Sequence, residues 1–246
     1  TNAQGGFDVP IGQWCIAMMI NMARDLRGMI KNQRQGLWDR DRRFQTEIRG
    51  RTVGFWGYGG LARETARLAK AVGLMVHALA HRPIRRRDNV FCVPGTGDPE
   101  GLLPDRVFSS DDRLEFLRGL DFLILAMPLT SSTRGIVGVE ELRALPPQAL
   151  LLNPARGPLI SEEALLTALK EGWIAGAALD AHHHYPLPAG HPLWALPNVI
   201  VTPHISGSSL STFFQQRVSE IFYDNLQRQI RGEPLLNEIA PEQLTA

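Results

Sequence analysis

Residues 51–62 read Arg-Thr-Val-Gly-Phe-Trp-Gly-Tyr-Gly-Gly-Leu-Ala. An apolar strand candidate, Thr52–Trp56, runs into a glycine cluster. The cluster runs into a segment with helical spacing at Leu61, Ala62, Thr65, Leu68 and Ala69. Within it Gly57, Gly59 and Ala62 fit the dinucleotide spacing G-x-G-x-x-G/A. Gly57 permits a tight turn out of the strand. Gly59 lets the backbone approach a pyrophosphate, and Ala62 is small enough for the new helix to pack on a sheet. The amides of Gly60 and Leu61 then lie at a helix N-terminus, where unpaired N–H groups and the helix dipole favour an anion. The setting of strand, glycine loop and helix predicts dinucleotide binding.

Outward from this loop, short apolar strands alternate with amphipathic helices. Strands are predicted at Thr52–Trp56, Met75–Leu79, Phe122–Ala126, Ala149–Asn153, Ala175–Leu179 and Val199–Thr202. Helices are predicted at 60–72, 111–118, 139–145, 161–171 and 208–231. Strands as uniformly apolar as Phe-Leu-Ile-Leu-Ala are buried on both faces. The expected fold class is therefore α/β, a Rossmann-type doubly wound parallel sheet with helices on either side. Before it, residues 8–35 read as one helix. Asp8 would cap it, and Ile11, Cys15, Met18, Met19, Met22 and Leu26 mark its core face. Trp14, Ile16, Ala17 and Ile20 widen the apolar surface, enough to pack on a partner subunit as well. Residues 85–105, rich in Arg, Pro and Gly, read as a surface loop, with Arg85, Arg86 and Arg87 a solvated run.

The 246 residues carry a net charge of +1 and a hydrophobic fraction of 44%, which excludes intrinsic disorder. The balance of charge calls for neither a nucleic acid nor an anionic membrane as partner. Cys15 and Cys92 cannot build a disulfide framework, so a reducing cytoplasm is expected. No apolar run reaches membrane-spanning length, and no signal peptide is evident. The chain begins with Thr rather than Met, as a processed or partial version of a longer chain would.

The strand after the glycine loop bears on the cofactor. It ends Leu79-Ala80-His81-Arg82, and Ala80 stands where an acid would accept hydrogen bonds from the ribose and repel a 2′-phosphate. With His81, Arg82 and Arg85 following, NADP is at least as well accommodated as NAD. Further polar loops follow other strands: Asn153-Pro154-Ala155-Arg156-Gly157, then Asp180, then Thr202-Pro203-His204-Ile205-Ser206-Gly207. In an open parallel sheet these ends face the ligand. They bring an Arg, an Asp and a His toward the pyridine end of the cofactor.

These loops resemble the D-isomer-specific 2-hydroxyacid dehydrogenase family, and the resemblance covers nearly the whole chain. It includes Gly-Tyr-Gly-Gly-Leu-Ala, Met127-Pro128-Leu129-Thr130, Asn153–Gly157, Gly176–Asp180, His191-Pro192-Leu193-Trp194, Leu196–Val199 and Thr202–Gly207. The resemblance implies an NAD(P)-binding domain over residues 41–207, an interdomain and dimerisation helix region over 1–40, and a C-terminal helix and tail over 208–246. The tail would return toward a substrate domain largely missing from this chain. It also implies a homodimer and hydride transfer between a small 2-hydroxy acid and its 2-oxo acid. Met127, Pro128, Ala155, Asp180, His204 and Gly207 would line the cofactor beside Gly57, Gly59, Gly60, Leu61, His81 and Arg82. Arg156 would bind the substrate carboxylate, His204 would donate the proton, and Asp180 would hold the nicotinamide carboxamide.

One position departs from the pattern. The family stretch Asp-Val-Phe-x-x-Glu-Pro reads here Asp180-Ala181-His182-His183-His184-Tyr185-Pro186, so Tyr185 stands where a carboxylate pairs with the catalytic His. A neutral tyrosine makes one hydrogen bond but supplies no charge favouring imidazolium. A catalytically weak dinucleotide-binding sensor is the alternative. The three histidines read as a polar loop rather than a metal site, because alternate side chains of an extended segment face opposite ways.

Overall fold

The computed structural model describes residues 1–239. Its centre is one sheet of seven parallel strands: β1 (Thr52–Trp56), β2 (Met75–Leu79), β3 (Arg106–Phe108), β4 (Phe122–Leu125), β5 (Leu150–Asn153), β6 (Gly176–Leu179) and β7 (Val199–Val201), in the order β3-β2-β1-β4-β5-β6-β7. The register runs Val53↔Val76 and Val53↔Phe122 on the two sides of β1, then Leu123↔Leu151, Leu151↔Ala177 and Ala178↔Ile200. The expected α/β class and doubly wound parallel sheet are present.

The α-helices among the described residues are α1 (Asp8–Ala23), α2 (Leu26–Arg34), α3 (Gly60–Ala71), α4 (Arg113–Arg118), α5 (Val139–Ala144), α6 (Glu162–Glu171) and α7 (Thr212–Arg231). Side chains alternate across the strands with period two, so each strand feeds two cores. On one face Cys15 and Met19 of α1 and Ala62, Ala66 and Ala69 of α3 meet Val53, Phe55, Val76, Phe122 and Ile124. On the other Phe116, Leu117, Leu142, Leu165 and Leu169 meet Leu123, Leu125, Leu151 and Leu179. Each fully buried Leu, Ile or Phe contributes roughly 1.5–3 kcal/mol, which makes this sandwich the dominant stabilising feature.

Four expectations need correction. The helix over 8–35 breaks at Asp25, which takes a left-handed φ of 45° and caps α2 through Oδ1, accepting from the Gly28 amide at 3.0 Å. Asp8 is not the cap of α1; Phe7 holds that position and Asp8 is the first helical residue. The last helix starts at Thr212, capped by Ser211, whereas Ser208 adopts a left-handed turn. And β3, too short and too polar to stand out, extends the sheet beyond β2.

The segments before α1 and after α7 meet. The side-chain amide of Asn237 donates to Asn2 O and Gln4 O at 2.9 and 2.8 Å, and its Oδ1 accepts from the Phe91 amide at 3.0 Å. Its own amide donates to Asn89 O at 2.9 Å. Phe7 stacks on Phe214, centroids 4.4 Å apart, and Arg217 donates to Gly6 O. Residues 240–246 of the expected C-terminal unit lie outside the described residues. No helix among those described is long and apolar enough to cross a membrane.

Candidate functional site

Strand order reverses between β1 and β4, and the crevice beyond their carboxyl ends is where a doubly wound sheet binds a ligand. Gly57, at φ 91°, makes the turn there. A Cβ on it would lie 2.8 Å from Ala126 O and 3.1 Å from the Met127 amide, so the glycine turn packs directly on the loop with Met127 and Pro128. Gly59, by contrast, has nothing within 4 Å of an added Cβ. Space is open at the residue whose backbone is expected to meet pyrophosphate. Gly59 is also the N-cap of α3, and no side chain caps that helix, so its first amides point at the open space. Gly60 and Leu61 open the helix, and Ala62 is fully buried on the sheet. These residues fit a dinucleotide pyrophosphate.

After β2, His81 and Arg82 are exposed, as is Arg85. Among the described residues none of the three has an ion-pair partner, and Ala80 brings no carboxylate. Arg86 pairs with Asp88 and Glu100 at 3.0 and 3.2 Å. Arg87 does otherwise: its Nη1 would lie 2.7 Å from a Cβ on Gly60, and Asp8 Oδ2 would run into the same Cβ. The segment 85–105 is a surface loop, as its composition suggests, but one anchored to the body of the protein. Buried Arg63 donates to Asp98 O, Pro99 O and Arg85 O at 2.5, 3.2 and 2.7 Å. Asp98 accepts the Tyr58 hydroxyl at 2.8 Å and the amides of Gly101, Leu102 and Leu103 at 3.0–3.1 Å. Glu64, paired with Arg67, accepts the Gly97 amide at 2.6 Å. Burial and the Asp98 carboxylate raise the Tyr58 phenol, and burial lowers the Arg63 guanidinium. Burial pushes the Asp8 carboxyl up to about 6, Arg87 opposing and Glu64 adding to the rise.

Sequence reasoning does not single out Asp8, Arg63, Arg87 and Asp98 for this site. An Arg and a Tyr inside the glycine motif are the available signal for part of the network. Asp8 and Arg87 carry no local signal.

The remaining loops pack in series beyond β5, β6 and β7. Buried Asn153 holds the first, donating to Arg156 O at 2.9 Å while its Oδ1 accepts from the Ala155 amide at 3.1 Å. This leaves Ala155 half-buried and Arg156 exposed, its guanidinium bonded among the described residues only to Ala155 O at 2.7 Å. A Cβ on Gly157 would run into the His182 backbone, so this loop sits flush on the next. There Tyr185 lies with its ring 5.4 Å from that of His204. The expected neighbour of His204 is thus in place, but its hydroxyl accepts from the His182 amide at 3.1 Å. His204 is exposed, with a left-handed φ of 56°. Gly207 packs on Phe7, where a Cβ would lie 2.9 Å from the ring.

Asp180 lies at the end of β6. Fully buried, its carboxylate accepts from Thr202 Oγ1 at 2.5 Å and from the Ile205 and Ser206 amides at 2.9 Å. Through these bonds it sets the loop that presents His204. The histidine run diverges: His182 Nε2 bonds Thr202 O at 2.8 Å, His183 Nε2 bonds Ile160 O at 3.0 Å, and His184 lies 3.8 Å from Glu162. Glu162 also meets His191 at 3.1 Å. Among the described residues no three His, Cys, Asp or Glu are grouped to share a metal ion.

Comparison with known proteins gives a consistent family. Residues 16–206 match the profile described as D-isomer specific 2-hydroxyacid dehydrogenase, NAD binding domain. A glyoxylate reductase of Thermofilum pendens is 32% identical over 237 residues, 95% of this chain and 65% of that protein. A D-3-phosphoglycerate dehydrogenase of Methanocaldococcus jannaschii is 32% identical over 238 residues, 94% of this chain and 41% of that one. Among solved structures, a D-isomer specific 2-hydroxyacid dehydrogenase of Xanthobacter autotrophicus, crystallised with NADPH and MES, superposes with a TM-score of 0.79. It shares 29% identity, and the match covers 96% of this chain and 89% of that one. The chain thus spans between two fifths and two thirds of the length of those two curated relatives.

Proposed function

From the premise that the chain belongs to the D-isomer-specific 2-hydroxyacid dehydrogenase family, through its NAD-binding domain, we propose that it binds NAD(P)(H) at the glycine loop. There it would interconvert a small 2-hydroxy acid and its 2-oxo acid. When bound, the nicotinamide supplies or accepts the hydride. Arg156 then receives the substrate carboxylate in its planar donor fork and draws electron density from the adjacent carbonyl. His204 gives the carbonyl oxygen its proton in reduction and takes it back in oxidation. Asp180 is the positioning residue for His204. The observation that carries this reading is the contiguous packing of the Arg156, Tyr185 and His204 loops beyond three adjacent strand ends, with Arg156 and His204 both exposed and free of carboxylate partners among the described residues.

NADPH is the favoured cofactor in this proposal. Ala80 places no anion at the ribose, and His81, Arg82 and Arg85 stand open to a 2′-phosphate. A charged contact to phosphate is worth about 1.5–3 kcal/mol, or tenfold and more in affinity. The proposed assembly is a homodimer formed through α1 and α2, where Ile20, Leu26 and Ile30 are exposed.

Tyr185 favours a second reading, a dinucleotide-binding protein with weak turnover, because its hydroxyl serves the His182 amide and brings no charge to His204. One assay separates the two. Enhancement of nicotinamide fluorescence reports binding, and loss of 340 nm absorbance with glyoxylate or hydroxypyruvate reports turnover. Turnover that disappears in His204→Ala and Arg156→Ala supports the dehydrogenase. Binding without oxidation in the parent supports the second reading.

A further inference from the structure

Resting on the cofactor reading, which sets a pyrophosphate at the first turn of α3, we propose that Arg87, delivered by the loop after β2, is a ligand of that pyrophosphate. Asp8 is then the carboxyl that flanks the same turn. Three observations meet there.

The first is position. A Cβ on a helical residue leans toward the helix N-terminus, so whatever a Cβ on Gly60, the first residue of α3, would strike flanks the first turn of that helix. The groups struck are Asp8 Oδ2 and Arg87 Nη1. A guanidinium and a carboxyl thus stand beside the first turn of α3, next to the open space at Gly59, and the missing side chain of Gly60 makes room for both.

The second is that nothing else occupies Arg87. Its backbone amide is fixed to Pro99 O at 3.1 Å. Among the described residues its guanidinium reaches no carboxylate at ion-pair distance, whereas Arg86 next to it has two. The third is that the loop is bolted down by Arg63, Asp98 and the Glu64–Gly97 bond, all on or against α3. A cation held on a fixed loop loses little freedom when a phosphate arrives.

Asp8 completes the arrangement. The charged groups around it are Arg63 and Glu64 of α3 and Arg87 and Asp98 of the loop. Glu64 is already neutralised by Arg67, which leaves Arg87 as the nearest uncommitted cation. Burial holds Asp8 partly protonated near pH 6, so the carboxyl repels an incoming pyrophosphate least on the acid side of neutrality.

The test is equilibrium binding of NADH, NADPH and ADP-ribose to the purified chain at moderate salt. Nicotinamide fluorescence reads the first two, and displacement of NADH reads the third. Arg87→Met is expected to weaken all three by about tenfold or more, because all three share the pyrophosphate. Arg87→Lys should recover part of the loss, and Arg86→Met should change affinity less than twofold. Asp8→Asn should tighten binding and flatten its dependence on pH between 5 and 8. Unchanged affinity in a folded Arg87→Met overturns the proposal. So does a loss confined to NADPH, which would assign Arg87 to the 2′-phosphate. A parent that binds none of the three overturns the cofactor reading itself.

Discussion

Tyr185 presents His204 with a ring face 5.4 Å away while its hydroxyl is turned to a backbone amide. An acid at this position would add a negative charge beside the imidazole and favour its protonated, proton-donating form. Tyr185→Glu is therefore expected to raise 2-oxo acid reduction at neutral pH several-fold and to carry the falling limb of the pH–rate profile to higher pH. Superimposable profiles would show that the tyrosine does not occupy the carboxylate's place. Asp8 gives a second residue-level expectation. Its folded pKa of about 6 lies above the usual carboxyl value of 3.8, so the folded state binds more protons than the unfolded between these values. The contribution of Asp8 to stability then falls as pH rises from 4 through 6, by up to about 3 kcal/mol. Asp8→Asn should melt higher than the parent at pH 7 and no higher at pH 4, by thermal denaturation. Residues in contiguous motifs, such as Gly57, Arg156 and His204, are legible in the sequence because the chemistry sets their local spacing. Asp8 and Arg87 are not, because they meet only at Gly60, 52 and 27 positions away. The task of Asp180 is hidden because its partners lie 22 to 26 residues downstream.

Elements are legible in proportion to their periodicity. The buried strands β1, β4, β5 and β6 announce themselves as apolar runs, and their boundaries shift by a residue at most. The break at Asp25 is hidden because the apolar spacing continues through it. β3 is hidden because three residues beginning with Arg106 carry too little pattern. The anchoring of the loop 85–105 is hidden because composition reports solubility but not long-range bonds. Asp98 shows the size of that effect. It alone satisfies three amides and a phenol, so Asp98→Ala should cost about 2–3 kcal/mol and lower Tm by roughly 4–12 °C. If the melting point holds, the loop is not stapled as described. The glycine turn offers a contrast. Gly57→Ala should destabilise, since φ is 91° and Ala126 O is too close. Gly59→Val should leave the melt nearly unchanged yet weaken both nucleotides tenfold or more, because its side chain enters open space reserved for phosphate. Unaltered binding in that variant would move the pyrophosphate elsewhere.

For the whole molecule, the parallel sheet and its ligand edge are readable from the alternation of strand and helix, and the topology follows the switch-point rule. Which surfaces meet another body is readable only as apolar excess on α1. The structure displays that excess on α1 and α2 through Ile20, Leu26 and Ile30, and a second one on α7 through Phe213, Phe222 and Ile230. The proposed dimer predicts a sedimenting species of two chains at micromolar concentration, reduced to one chain by Ile30→Glu. A parent that sediments as a monomer would rule it out. Asn237 has a mechanical consequence as well. Asn237 ties the backbone leaving α7 to the backbone leading to α1, by bonds at Asn2 and Gln4, and to the loop after β2, by bonds at Asn89 and Phe91. A tensile load applied between positions 1 and 239 would fall first on that clasp, opening it bond by bond like a zipper. Such a chain would give way in two force steps, a small one at the clasp and a large one at the sheet, and Asn237→Ala would erase the first.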